Sequence, residues 1–147
     1  MSRLVCLGLL LLVAVVAVST APHEDLSKEH TAEVAQECKT ETGATDEDVE
    51  HMMHHKPSDS HEGKCLRACM MKKFEIMDDD GKLNKERALE LVKIMSKDDA
   101  AKEAAGADVV DKCESLEVPE DYCVAAAAYE TCIVENMHEH GLSLEEH

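Results

Sequence analysis

Six cysteines, at positions 38, 65, 69, 113, 123 and 132, restrict what this chain can fold into more than any other feature. A seventh, Cys6, belongs to an N-terminal segment of different character, in which MSRL precedes an unbroken apolar run that ends at Val18 and small residues then lead to Pro22. The run is too short for an ordinary membrane span and has the three-part form of a secretory signal peptide. Residues 1–21 are therefore expected to be a removed leader, cleaved near 19–21. Residues 22–147 then form a single domain, large enough for one core. An even number of cysteines in a secreted domain of this size reads as three disulfides, because thiols do not stay free in an oxidising compartment.

Six cysteines allow 15 ways of making three pairs. If the segment GKCLRACMM is helical, Cys65 and Cys69 lie one turn apart on the same face and point the same way, so bonding them to each other would strain the helix. Cys123 and Cys132 in one helix would stand roughly 13.5 Å apart along its axis and face opposite sides. Excluding every arrangement with either pair leaves ten.

Other uses of these residues fit less well. His61, Cys65 and Cys69 form an i, i+4, i+8 column with HMMHH (His51 to His55) upstream, but the spacing matches no compact zinc pattern. The C-x3-C interval lies outside any βαβ pattern, unlike a thioredoxin-type redox pair. In Asp78-Asp79-Asp80-Gly81, a calcium loop with Gly81 sixth would put Ile76 and Arg87 at the two end positions, where acids are needed. We therefore expect no metal and no cofactor.

Beyond the leader, the pattern is helix after helix without period-2 alternation, which predicts an all-α fold. A first helix over about 25–41 carries Leu26, Val34 and Cys38 and ends at Gly43. Thr45-Asp46-Glu47-Asp48 resembles a capping box opening a second helix that ends near His55, before the break at Pro57. A third covers about 60–74. Asn84 caps a fourth, with Ala88, Leu91, Val92 and Met95 at helical spacing. A fifth runs over about 99–116 and includes Cys113. Pro119-Glu120-Asp121 opens a sixth, with a stripe of Tyr122, Ala126, Tyr129, Ile133 and Met137, and the chain leaves it at Gly141.

The net charge is −17, from 32 acidic against 15 basic residues, and loss of Arg3 with the leader makes it one unit more negative. Such a surface repels nucleic acid and anionic lipid. No G-x-S-x-G, H-E-x-x-H or Gly-rich phosphate loop occurs, and there is no cysteine pair beside a catalytic His as in secreted phospholipases. We expect no enzymatic activity.

The intervals Cys38-x26-Cys65-x3-Cys69-x43-Cys113-x9-Cys123-x8-Cys132 resemble the six-cysteine pattern of the insect odorant-binding proteins, the pheromone and general odorant-binding family. C-x3-C and C-x8-C are the least variable parts of that pattern and both match, while the interval of 43 lies at its long end. The segment CLRACMMKKFEIMDDDGKLNKE also looks like a family member. The resemblance spans essentially the whole mature chain. It implies a compact six-helix bundle stapled by three disulfides around an internal apolar cavity, with bridges Cys38–Cys69, Cys65–Cys123 and Cys113–Cys132. That set is among the ten that helix geometry leaves open.

The expected function is a secreted, extracellular carrier that binds and transports small hydrophobic ligands, odorants or pheromones, and delivers them to a membrane receptor as a monomer or weak homodimer. Candidates for the cavity wall are Met70, Phe74, Ile76, Leu89, Val92, Met95, Ala126, Tyr129 and Ile133, and Tyr129 could supply a hydroxyl to a ligand. With one Phe, two Tyr and no Trp, methionine and alanine must supply much of the wall, which favours selection by volume over ring stacking. If Leu142 and Leu144 cover the cavity, protonation of His138 and His140 offers a pH-dependent tail. The rival expectation is a secreted disulfide-rich interaction protein that binds a protein partner or a metal through its surface.

Overall fold

The computed structural model describes residues 27–143; the leader, Leu26 of the expected first helix, and Leu144 lie outside the described residues. Six helices follow one another: α1 Lys28–Thr42, α2 Asp46–Met53, α3 His61–Lys73, α4 Lys85–Met95, α5 Ala100–Glu114 and α6 Tyr122–Glu139. Each starts where a short polar side chain satisfies the free amides of its first turn. Ser27, Thr45, Ser60, Asn84, Asp99 and Asp121 are these caps. Helix α2 ends two residues before the expected His55, whose backbone is left-handed at φ 53°.

The caps also tie helices together. At the start of α2, Thr45 and Asp48 form a reciprocal capping box. The second oxygen of Asp48 accepts a hydrogen bond of 2.7 Å from the Ser60 hydroxyl, which itself accepts from the Gly63 amide at the start of α3. The backbone amide of Thr45, followed by the Ser60 and Thr45 hydroxyls, holds the Asp48 carboxyl below the usual carboxylate range against the opposing effect of burial. Helix α4 is introduced by a turn in which Asp78 accepts from the amides of Asp80 and Lys82, closed by one isolated antiparallel bridge, Met77 to Leu83.

Helix α3 is the hub. Leu66 and Met70 face a core shared with Val34, Ala35 and Cys38 of α1 and Met52 of α2. Ala68 and Met71 face a second core with Val109 of α5 and Ala125, Ala126 and Tyr129 of α6. Fully buried alanines on α6 let α3 approach closely. The disulfides follow the same plan: Cys38–Cys69 joins α1 to α3, Cys65–Cys123 joins α3 to α6, and Cys113–Cys132 joins α5 to α6. These are the pairs that the resemblance implies, with Cys65 and Cys69 reaching different neighbours.

A helix covered on several sides leaves little room for charge, yet α3 buries Arg67 with only 3% of its side chain exposed. Its guanidinium forms an ion pair with Glu130 of α6 and donates to the carbonyls of Gly63, at 3.2 Å, and Lys56. Burial raises the Glu130 carboxyl above its ordinary range and Arg67 pulls it back, with burial the larger influence. Losing one member of such a pair strands the other in a poorly solvated place. Glu130→Ala is expected to cost about 3–5 kcal/mol in urea unfolding of the oxidised protein, and Arg67→Met with Glu130→Met to recover most of that loss. A double variant as unstable as the single one would show that packing, not charge, sets the cost.

The lowered Asp48 carboxyl has a definite pH signature. The folded group binds its proton less tightly than the unfolded one, so its contribution is complete at neutral pH and is lost as the pH falls below about 4, through the folded value. Asp48→Asn is expected to lose about 1 kcal/mol at pH 7, where a cap is weakened. The gap to the wild type should narrow in acid, as read by urea unfolding at several pH values.

Candidate binding cavity

Away from the α1–α2 side of α3, a cavity of about 200 Å³ lies between α4, α5 and α6. Helix α4 contributes Ala88, Leu91, Val92 and Met95, with Ser96 at its end. Helix α5 contributes Lys102, Gly106, Val109 and Val110. Ile76 from the connection before α4 and Ile133 and Met137 from α6 complete the walls, and residues 141–143 form the remaining side. The lining is thus mostly aliphatic, as expected for a small-molecule site.

Two glycines shape it. A methyl group at Gly106 would come within 2.6 Å of Val92 Cγ1, so the bare backbone of α5 is what lets α4 lie this close. Gly141 has open space around it, and its role is conformational: φ is 68°, a left-handed value that ends α6. There the amide of Gly141 donates to the His138 carbonyl at 3.0 Å and the amide of Leu142 to the Met137 carbonyl at 2.9 Å. This is the Schellman closure, which commonly sets the residue after the glycine against one in the last helical turn. Here those residues are Leu142 and Met137, both of which line the cavity. His140 Nε2 lies 2.8 Å from Asp108 Oδ2 on α5, which fixes the tail from the other side.

Four residues expected at the cavity line it: Ile76, Val92, Met95 and Ile133. Ala126 and Tyr129 lie behind them in the α3–α5–α6 core, where Ile76, Ile133 and Met137 pack against them. Met70 and Phe74 belong to the opposite core, with Phe74 edge-on to the His30 ring at 6.2 Å. Leu89 is half-buried and lines no part of this cavity. Tyr122, the first member of the α6 stripe, is 47% exposed with the Lys72 ammonium 3.9 Å from its ring centre, because the first turn of α6 stands at the rim. The α5 wall was missed by sequence reasoning, although Gly106, Val109, Val110 and Cys113 follow an i, i+3, i+4, i+7 pattern that marks it.

A larger depression of about 380 Å³ lies near the Cys38–Cys69 bridge, lined by Glu41, Lys72, Lys73 and Tyr122 among others. Its walls are charged and open, and Lys73 is engaged there by Glu41 and Glu37. Hydrogen bonding to Glu41 raises the Lys73 ammonium above its usual value. The smaller cavity, with its aliphatic walls, is the better host for an apolar molecule despite its volume. His61, Cys65 and Cys123 cluster closely enough to hold a metal, but both sulfurs are spent in one disulfide. His61 is instead 3.0 Å from Asp121 Oδ2, and that hydrogen bond, ahead of the backbone amides of Cys123 and Val124, lowers the Asp121 carboxyl.

Six helices, three disulfides and an aliphatic cavity define the chain's class, and comparison with known proteins agrees. The model of the PBP/GOBP family matches residues 20–136, and the chain belongs to that family. It is 63% identical over 150 residues to general odorant-binding protein 19d of Drosophila melanogaster, with 100% of each chain covered. General odorant-binding protein 28a of the same organism is 42% identical over 110 residues, covering 75% of this chain and 77% of that one. Among solved structures, odorant-binding protein dmelOBP28a from Drosophila melanogaster superposes with a TM-score of 0.71 at 40% identity, covering 78% of this chain and 95% of the other.

The tail geometry yields a test. Gly141→Ala forces a side chain into a left-handed backbone at a cost of about 1–2 kcal/mol. It is expected to loosen residues 141–143 and speed the loss of a bound apolar probe by about an order of magnitude, with little change in helix content. Unchanged probe kinetics alongside a normal circular dichroism spectrum would show that the tail does not retain ligand.

Proposed function

We propose that the protein is a secreted, non-enzymatic carrier that takes a small apolar ligand into the cavity between α4, α5 and α6, keeps it in solution in extracellular fluid, and releases it at a membrane receptor. The observation that carries this reading is the aliphatic cavity itself, walled by three helices and bordered by Leu142. Burial of ligand hydrocarbon there supplies roughly 25 cal/mol per Å² removed from water. Ligand selection then follows volume and apolarity, with Met95 and Met137 as adaptable wall elements. Family membership supports a binding role, and the names of the relatives suggest odorants as the ligand class. Secretion rests on the signal-peptide reading of residues 1–21.

The same tail is where pH would act, since His140 meets Asp108 Oδ2, an oxygen that Lys112 also approaches at 3.8 Å. Among the described residues nothing comparable favours a protein-binding or metal-binding role. The exposed large apolar side chains among the described residues, Met53, Ile94, Leu116 and Tyr122, lie on different elements.

Native mass spectrometry of the oxidised protein purified from its source, followed by titration with apolar fluorescent probes, tests the carrier. The expected result is a mass lacking six hydrogens relative to the thiol form, a co-purifying lipophile, and micromolar uptake of at least one probe. Empty protein that takes up none of a broad panel would sink the proposal. Repeating the titration at pH 5 and pH 7 tests the responsive tail, and equal affinities with equal tail signals by NMR would end that part of it.

A further inference from the structure

Among the described residues, the cavity carries a single charge. Lys102, in the first turn of α5, is the only ionisable residue among the described ones that line it. It is exposed, so it stands at the rim, and its ammonium makes no ion pair with another described residue. The nearby polar groups are spent elsewhere. The Ser96 hydroxyl donates to the Val92 carbonyl at 2.6 Å, within its own helix. The Asp99 carboxylate accepts from the amides of Ala101 and Lys102, so its charge is turned to the backbone and not to the lysine head. A ligand filling the aliphatic interior therefore meets, at this rim, a cation with free donors.

We infer that the ligand of this cavity is a small monocarboxylate amphiphile, with its apolar body between α4, α5 and α6 and its carboxylate on Lys102. This rests on the carrier reading and adds the head group to it. A cavity of about 200 Å³ has room for a body on the order of ten non-hydrogen atoms. The net charge of −17 does not forbid an anion, because charges beyond about 8 Å are screened at physiological ionic strength. At the rim the nearest group dominates. An exposed pair is weak, so the selectivity it confers over a neutral head of the same length is roughly fivefold.

The test holds the tail constant and changes the head: octanoate, 1-octanol and octylamine compete against the neutral probe N-phenyl-1-naphthylamine at pH 7.5 and physiological ionic strength, about 0.15 M. Octanoate is expected to bind roughly fivefold more tightly than octanol, with octylamine weakest. Lys102→Met should remove the advantage of octanoate while leaving octanol unchanged, Lys102→Arg should keep it, and 1 M NaCl should erase it in the wild type. Octanol binding as tightly as octanoate, or a preference that survives in Lys102→Met, overturns the head-group assignment and leaves the carrier standing. If the probe binds and none of the three displaces it, the assignment also fails alone. If the probe itself does not bind, calorimetric titration of the three ligands replaces the competition, and carrier and assignment fall together if none of them binds.

Discussion

Two sulfurs one helical turn apart on α3 pull on different neighbours, and the rest of the bundle is arranged around that fact. Cys69 holds α1 and Cys65 holds α6, so α3 is fixed on both sides before any packing is counted. The third bridge extends the frame to α5. A bundle that keeps an aliphatic cavity forgoes part of its packing energy. Crosslinks, each of about 2–4 kcal/mol, offset that loss by restricting the unfolded chain. The cavity lies at the edge of this frame, between α5 and α6, which the bridges hold, and α4, which they do not.

Polar groups inside the frame are used with the same economy. Arg67 and Glu130 link α3 to α6, and Arg67 also holds the Lys56 carbonyl of the α2–α3 connection and the Gly63 carbonyl of its own helix. Asp48 and Ser60 fuse two helix starts into one hydrogen-bonded unit. Most of the remaining charges among the described residues sit on the surface, where they favour solubility and contribute little to the fold. Among the described residues the cavity stays almost free of charge, and this makes the lysine at its rim informative.

Much of the architecture was legible in the sequence because its signals are local. Helix starts announced themselves through the Thr45–Asp48 box, Asn84 and Asp121, and the cysteine spacing carried the topology through the family it resembles. The cavity wall was read less completely, since periodicity marks a buried face without saying which of two cores it meets. Met70 and Phe74 follow helical spacing as well as Val92 does, yet they turn toward α1 and α2. Buried Arg67 was invisible for a related reason: an arginine between two cysteines looks like surface until α6 supplies Glu130, sixty-three residues later in the sequence. Helix α5 was recognised for Cys113 and not for its glycine, whose value appears only when Val92 is set against it.

The bridges join α1, α3, α5 and α6 into one covalent network, and α4 stands outside it. Among the described helices α4 packs on α5 alone, entered through the Met77–Leu83 bridge and left through Lys97 and Asp98, two successive residues with left-handed backbone. In mechanical terms the cavity is a box with riveted walls and one panel mounted on pins at its two edges. That panel is fastened to its neighbours by non-covalent contacts alone, Lys85 to Asp111 and Glu114 and Arg87 to the Phe74 carbonyl among them, so the covalent rigidity of the frame and the closure of its interior are set by different parts of the chain.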